Sequence, residues 1–256
     1  MDGDVVRMFP PTLLKLMFAI DAELIEVNPL SGLAYSKQRT IDIKPLTEED
    51  AFTFLEAAKD HEGGRFYPHF LMLLRTGLRI GEFLALQWND FDFENRQVTI
   101  QRHIYKGVII EKTKNGTNRT LDLSPHLSET LKALKREKQK DSLRSGKSFC
   151  DWCFTLGNRT KPMSPPIIGE AMLSILNKAG LPKMRVHDTR HSYCTIRLLR
   201  GHDIGDVSYQ MGHSSIQITF DTYTHWIPGK FKSQVDDLDT QPNATYTQPE
   251  KVENEK

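Results

Sequence analysis

Two groups of residues, far apart in the chain, could do chemistry together. Near the C-terminal end stand His187-Asp188-Thr189-Arg190-His191, then Gly212-His213, then Tyr223. Far upstream lies Arg75-Thr76-Gly77-Leu78-Arg79-Ile80-Gly81-Glu82. His187 and Arg190 are three apart and share one face of a helix. A guanidinium is a planar, permanently charged fork that matches phosphate oxygens. A tyrosine hydroxyl can act as a covalent nucleophile. Together these groups can attack a phosphodiester and offset the charge that develops on it. Each residue alone is ordinary in a globular domain, as a surface arginine or a structural histidine. The grouping carries the reading.

These residues need elements to hold them. Thr47 and Asp50 have the spacing of a capping box, with Asp in place of Glu, and Phe52, Phe54, Leu55 and Ala58 continue that helix. A second helix is expected over 66–75, with Phe70, Leu71 and Leu74 in the core and Thr76-Gly77 as its break. Arg79 then opens a third helix, and Glu82, three residues on, can orient its guanidinium. Between Gln97 and Leu123 the pattern turns to short β-rich runs. Residues 98–100, 108–110 and 119–123 read as three strands, with turns at Lys106-Gly107 and Asn115-Gly116. Lys114 directly precedes the second turn, and Lys112 lies two residues earlier on the same strand face.

Ser124-Pro125 starts a helix expected to reach about Lys140, with Leu127, Leu131 and Leu134 apolar; 141–147 is a polar connection. Ser164-Pro165 starts another, with Ile168, Ala171, Met172, Ile175 and Leu176 facing the core and Gly180 closing it. The helix bearing His187 continues through Ile196 and Leu199 to Gly201, and a short helix over 203–211 delivers Gly212-His213. At the other end, residues 11–27 read as a helix stopped by Asn28-Pro29, and 30–44 as a polar linker.

Composition narrows the class. The chain has 256 residues, 38% hydrophobic and 26% charged, as an ordinary globular protein does. No apolar run reaches membrane-span length, and Met1-Asp2-Gly3-Asp4 is not the basic start of a signal peptide. A cytoplasmic, nucleoid-associated protein is expected. Three cysteines make no disulfide framework, and Cys150-Asp151-Trp152-Cys153 lacks the second ligand pair of a zinc site. The net charge is +1, but six acids and two bases fall after Gln234, in a tail that reads as disordered. Between Arg102 and Lys147 there are twelve Lys/Arg against five Asp/Glu. That stripe suits a phosphate backbone, and it equally suits a solvated helix face.

Thr-Gly-Leu-Arg-Ile-Gly-Glu (76–82), His-Asp-Thr-Arg-His (187–191) and Met-Gly-His-Ser-Ser-Ile-Gln-Ile-Thr-Phe-Asp-Thr-Tyr-Thr-His (211–225), in that order, resemble the tyrosine recombinases of the phage-integrase family. Thr189 stands where the family has an apolar residue, and Tyr223 is ten residues after His213 where some members have nine. The resemblance implies a mainly helical α+β catalytic domain with a small three-stranded antiparallel sheet. It implies DNA cutting and rejoining through a 3′-phosphotyrosyl intermediate. Arg79, Lys114, His187, Arg190, His213 and Tyr223 would be catalytic, Glu82 and His191 orienting, and Lys112 and Arg119 contacts to the DNA backbone. His187 would assist proton transfer from Tyr223, and Lys114 would protonate the leaving oxygen, with Lys112 its competitor. Partners would be double-stranded DNA, further protomers in a synaptic tetramer and DNA-bending accessory proteins, with no membrane. No cofactor is expected, since the chain has no P-loop and no compact carboxylate cluster for two metals. Residues 1–35 would be the remnant last helix of a core-binding domain, in a fragment or shortened member. Residues 36–45 would be a linker, 46–235 the catalytic domain and 236–256 an acidic tail. A type IB topoisomerase-like enzyme and a catalytically idle DNA-binding remnant are the rival readings.

Overall fold

The computed structural model describes residues 19, 20, 22, 24, 25, 45–111, 118–157 and 160–223. The chain divides into two compact units, Met1–Asp42 and Ile43–Lys256. In the first, Ala19 and Ile20 are helical, and the Ala19 carbonyl accepts from the Leu24 and Ile25 N–H groups at 2.8 and 3.3 Å. That closure ends the helix short of the expected Val27. The rest of the expected helix, the linker after it and the acidic tail lie outside the described residues.

The second unit opens with α1 (Glu48–Asp60). Its capping box is present: Thr47 Oγ1 accepts from the Asp50 N–H at 3.1 Å, and Asp50 accepts from the Thr47 N–H at 3.3 Å. Such a cap contributes about 1 kcal/mol. α2 (Tyr67–Thr76) ends where Gly77 takes φ 63° and donates to the Leu73 carbonyl. A Cβ at Gly77 would overlap the Tyr193 ring, so the tight exit requires glycine. The short α3 (Ile80–Leu84) follows at once.

Five short strands come next: β1 (Phe91–Asp92), β2 (Gln97–Ile100), β3 (Arg102–Tyr105), β4 (Val108–Glu111) and β5 (Arg119–Asp122). The expected three-stranded antiparallel sheet exists, in the order β1-β2-β5. Its membership differs from the expectation, because β4 pairs with β3 in a separate hairpin and β1 completes the sheet. Lys106 and Gly107 both have positive φ, 48° and 79°, which closes that hairpin in two residues. The second expected turn lies outside the described residues.

α4 (Pro125–Ser145) runs past the expected Lys140, because Leu143 and Arg144 favour helix and the stop comes only at Gly146, at φ 64°. α5 (Pro165–Lys178), α6 (Asp188–Leu199), α7 (Ile204–Met211) and α8 (Ile216–Tyr223) complete the described elements. The main core joins Phe54, Phe70, Leu74, Phe83, Leu127, Phe154, Ile168 and Ile175 among others. Phe52, on the same helix as Phe54 and Leu55, stands outside it and is 63% exposed. A second, smaller cluster comprises Tyr193, Cys194, Leu198, Val207, Met211 and Tyr223. The candidate site residues among those described lie where α3, β5, α6 and the ends of α7 and α8 converge.

Candidate active site

Arg79 is the N-cap of α3 and reaches across to the end of α7. Its Nη2 donates to the Gly212 carbonyl at 3.2 Å, and its Nη1 to Glu82 Oε1 at 3.3 Å. Glu82 Oε2 also accepts from the Arg79 backbone N–H at 3.1 Å. Glu82 is buried, which works against its charge. The hydrogen bonds and charge of Arg119, with the charge of Arg79, outweigh that and hold its carboxyl at about 2. Glu82 thus hydrogen-bonds both Arg79, three residues back, and Arg119.

Arg190 projects from α6 and is only 3% exposed. Its Nη1 donates to the Gly77 carbonyl at 2.6 Å, so the left-handed exit from α2 supplies the acceptor. Its Nη2 is buried with no hydrogen-bond partner among the described residues. A buried charged donor left unpaired costs about 1–3 kcal/mol or more, so the site is built to receive an anionic oxygen there. Burial, then the nearby charge of Arg79, brings Arg190 down to about 10, and it stays a cation at neutral pH.

His213 follows Gly212, which sits at φ 67° and closes α7. Its Nδ1 bonds Thr219 Oγ1 at 2.7 Å, from a threonine that is fully buried on α8. Burial, then the charges of Arg190, Arg79 and Arg119, lowers His213 to about 4. Thr219 was not anticipated, though it lies within the 211–225 motif. Tyr223 ends α8 and is 2% exposed. Its hydroxyl is 2.7 Å from His191 Nδ1. Burial lifts the phenol well above its ordinary range, opposed by the charge of Arg190. The structure thus brings Arg79, Arg190, His191, His213 and Tyr223 together.

The family profile named phage integrase family matches residues 44–228. The chain belongs to this family. It is 32% identical over 245 residues to the tyrosine recombinase XerC-like protein of Caldanaerobacter subterraneus subsp. tengcongensis, covering 86% of this chain and 62% of that one. It is 31% identical to the transposase from transposon Tn916 of Enterococcus faecalis, covering 81% of this chain and 54% of the relative. The chain thus spans little more than half the length of these relatives. Its fold matches the Tn1549 transposon integrase solved with a circular intermediate DNA, with a TM-score of 0.70 at 24% identity over 87% of this chain and 74% of that one.

Within this integrase fold, two expectations change and two go unplaced. The ring against the Tyr223 hydroxyl is His191, not His187. His187 sits one turn back at the α6 N-cap and meets His191 edge to face, with ring centroids 5.2 Å apart. Burial, then the charge of Arg190, lowers its pKa. Arg119, expected on the DNA backbone, is 5% exposed and turned inward. It shares a strand face with buried Leu121, so the two-residue period of β5 buries it. Lys112 and Lys114 lie outside the described residues. Among the described residues no His/Cys/Asp/Glu group could hold a metal, and no helix is long and apolar enough to cross a membrane.

Proposed function

We propose that this chain is a site-specific DNA recombinase that cuts and rejoins DNA through a 3′-phosphotyrosyl intermediate. The observation that carries the reading is the juxtaposition on α6. Arg190 is buried with an open guanidinium nitrogen, and the phenol of Tyr223 is held next to it by His191. Relatives named as a tyrosine recombinase and a transposase support it, as does the fold shared with an integrase solved on DNA.

The chemistry follows from the groups present. Tyr223 Oη attacks the scissile phosphorus while the P–O5′ bond breaks. A phenol raised by burial does not ionise unaided at neutral pH, so its proton passes to a base. Burial, then the neighbouring His187, keeps His191 neutral down to about 4, so its Nδ1 is free to accept. With the phenol donating, His191 carries its own proton on Nε2. Arg79, Arg190 and His213 face the non-bridging oxygens and offset their charge in place of water. Lys114 protonates the departing 5′-oxygen, with Lys112 as the alternative donor. A second DNA 5′-hydroxyl then reverses the step. One phosphodiester is exchanged for another, so no nucleotide cofactor is required. The substrate is duplex DNA, strand exchange joins several copies of the chain in a synaptic tetramer, and DNA-bending proteins assist. The place of work is the chromosomal DNA.

The test is covalent trapping. The full chain is incubated with duplexes of randomised sequence, each carrying a nick beside the cleavage position so that religation fails. DNA that survives denaturation on the Tyr223 peptide is the expected result. A mobility shift that denaturation removes entirely would mean a DNA binder without strand-transfer chemistry.

A further inference from the structure

We propose that Arg119 is a positioning residue for strand transfer. From β5 it fixes the carboxylate that aims Arg79 and the turn that presents His213, and it does not contact DNA. The inference rests on the phosphotyrosyl reading and deepens it.

All three nitrogens of the Arg119 guanidinium are committed. Nη1 and Nη2 donate to Glu82 Oε1 and Oε2 at 3.0 and 2.7 Å, and Nε donates to the Gln210 carbonyl at 3.1 Å. The two side chains are 6% and 5% exposed. A forked pair at this depth fixes direction as well as distance. Strand register puts it there: Arg119 stands opposite Ile100, as Leu121 stands opposite Val98, with those three apolar partners buried.

The same carboxylate takes Arg79 Nη1 and its backbone N–H. Glu82 therefore stands between two arginines. Arg119 satisfies it fully, so Arg79 needs to give it only one side-chain hydrogen bond, and Arg79 remains 45% exposed toward solvent. Without Arg119 the buried carboxylate has one cation left. Its unpaired charge then draws Arg79 inward, away from a phosphate.

The grip on the 210–212 turn is equally direct. A Cβ on Gly212 would fall on the Arg119 guanidinium, which is why the backbone can pass so close. Arg119 holds the Gln210 carbonyl while Arg79 holds that of Gly212, and His213 is the next residue. One side chain thus ties α3, β5 and the end of α7.

A purely structural role and a positioning role separate by substrate charge. Replacing one non-bridging oxygen of the scissile phosphate by methyl makes it neutral, so cations are no longer needed to offset charge. On ordinary DNA selected by the trapping experiment, Arg119→Met should slow adduct formation about 100-fold, as loss of an electrostatic contact does. On the methylphosphonate duplex it should approach the parent rate. Arg79→Met should behave alike, and the double variant should be no slower than Arg79→Met alone. Equal loss on both substrates, or losses that multiply, would overturn the proposal. Arg119→Lys guards against misfolding, since it keeps a cation opposite Glu82 while losing the fork; it should show the same selective recovery. A second readout needs no cleavage. In the free protein, Arg119→Lys should move the Arg79 Nε–H resonance and weaken its response to inorganic phosphate. An unchanged resonance and titration would also overturn the proposal. If the parent chain forms no adduct on any duplex, the phosphotyrosyl reading fails, and the resonance alone decides the role of Arg119.

Discussion

The floor of the site and the helix that carries the proposed nucleophile are built to different standards. The floor continues the main core. Leu73, Leu74, Leu78, Phe83 and Leu84 bracket Arg79 and Glu82, and each is at most 2% exposed. The carboxylate between the arginines is satisfied from four directions. α8 belongs to the smaller cluster. It buries Thr219 and Tyr223, while Ile216, Ile218 and Phe220 are 43–52% exposed. The difference has a chemical sense. Charge-stabilising groups act without reorganisation only if they are fixed beforehand. A nucleophile that is 2% exposed and tied to His191 meets a scissile phosphorus only if its helix shifts. A fixed floor and a tyrosine on a helix that has to move follow.

The largest effect should come from the nucleophile. Tyr223→Phe removes one oxygen and keeps the ring in its cluster, so covalent attachment should vanish while DNA affinity stays near the parent's. Adduct on the Phe variant, detected after denaturation, would place the nucleophile elsewhere. Next comes the floor. Arg190→Lys keeps a charge but cannot both donate to Gly77 and present a second nitrogen, and should slow adduct formation about 10²–10³-fold. Single-turnover rates within a few-fold of the parent would remove the clamp from the mechanism. His191→Gln should cost about 10²-fold, in the range of general-base loss, and more than His187→Gln, because His191 is the one of the two that hydrogen-bonds the phenol. The reverse order would return the base to His187.

Seating itself can be measured. Amide exchange in α8 should proceed by local opening well below the global unfolding free energy, with α2 near the global limit. Equal protection of the two helices would erase the contrast between floor and nucleophile.

Much of the floor was legible. Arg79, Glu82 and Arg190 stand in motifs whose spacing survives folding, and the helices that hold them show clear apolar periods at Phe70, Leu71, Leu74 and Ile196. Arg119 was legible in principle: Leu121 and Leu123 share its parity and are buried, yet a charged residue beside a lysine-rich turn suggests solvent. The choice between His187 and His191 was not legible. Both lie on α6 four residues apart, and only the seating of α8 determines which ring meets the phenol. α8 carries no clear signal because its exposed isoleucines and phenylalanine blur the period. The identity of β1 as third strand depends on pairing, which composition does not encode.

Acid should dissect the same contrast, with smaller effects. Histidines lowered to about 4 in the fold but near 6.5 when unfolded favour the folded state above 6.5. Stability from His191 and His213 is then lost as pH falls from 6.5 through 4, at most about 1.4 kcal/mol per pH unit while one histidine titrates. Glu82 has the other window. Its carboxyl, at about 2 folded and about 4.5 unfolded, stabilises fully above 4.5, and that contribution is lost as pH falls from 4.5 through 2. A protonated His191 can only donate, so the phenol loses its acceptor. Thr219, bonded to His213, is affected in the same window. Between pH 6.5 and 4.5, protection against amide exchange should therefore fall at Thr219 and Tyr223 while the Gln210–Gly212 turn, held by Arg119, stays as it was; the folded-state chemical shifts of Thr219 and Tyr223 should move only near pH 4. Below 4.5 that turn should follow. Simultaneous loss of both regions across one pH range would show that the floor and the nucleophile's helix form one cooperative unit, and that the looser seating of Tyr223 is not a property of the free protein.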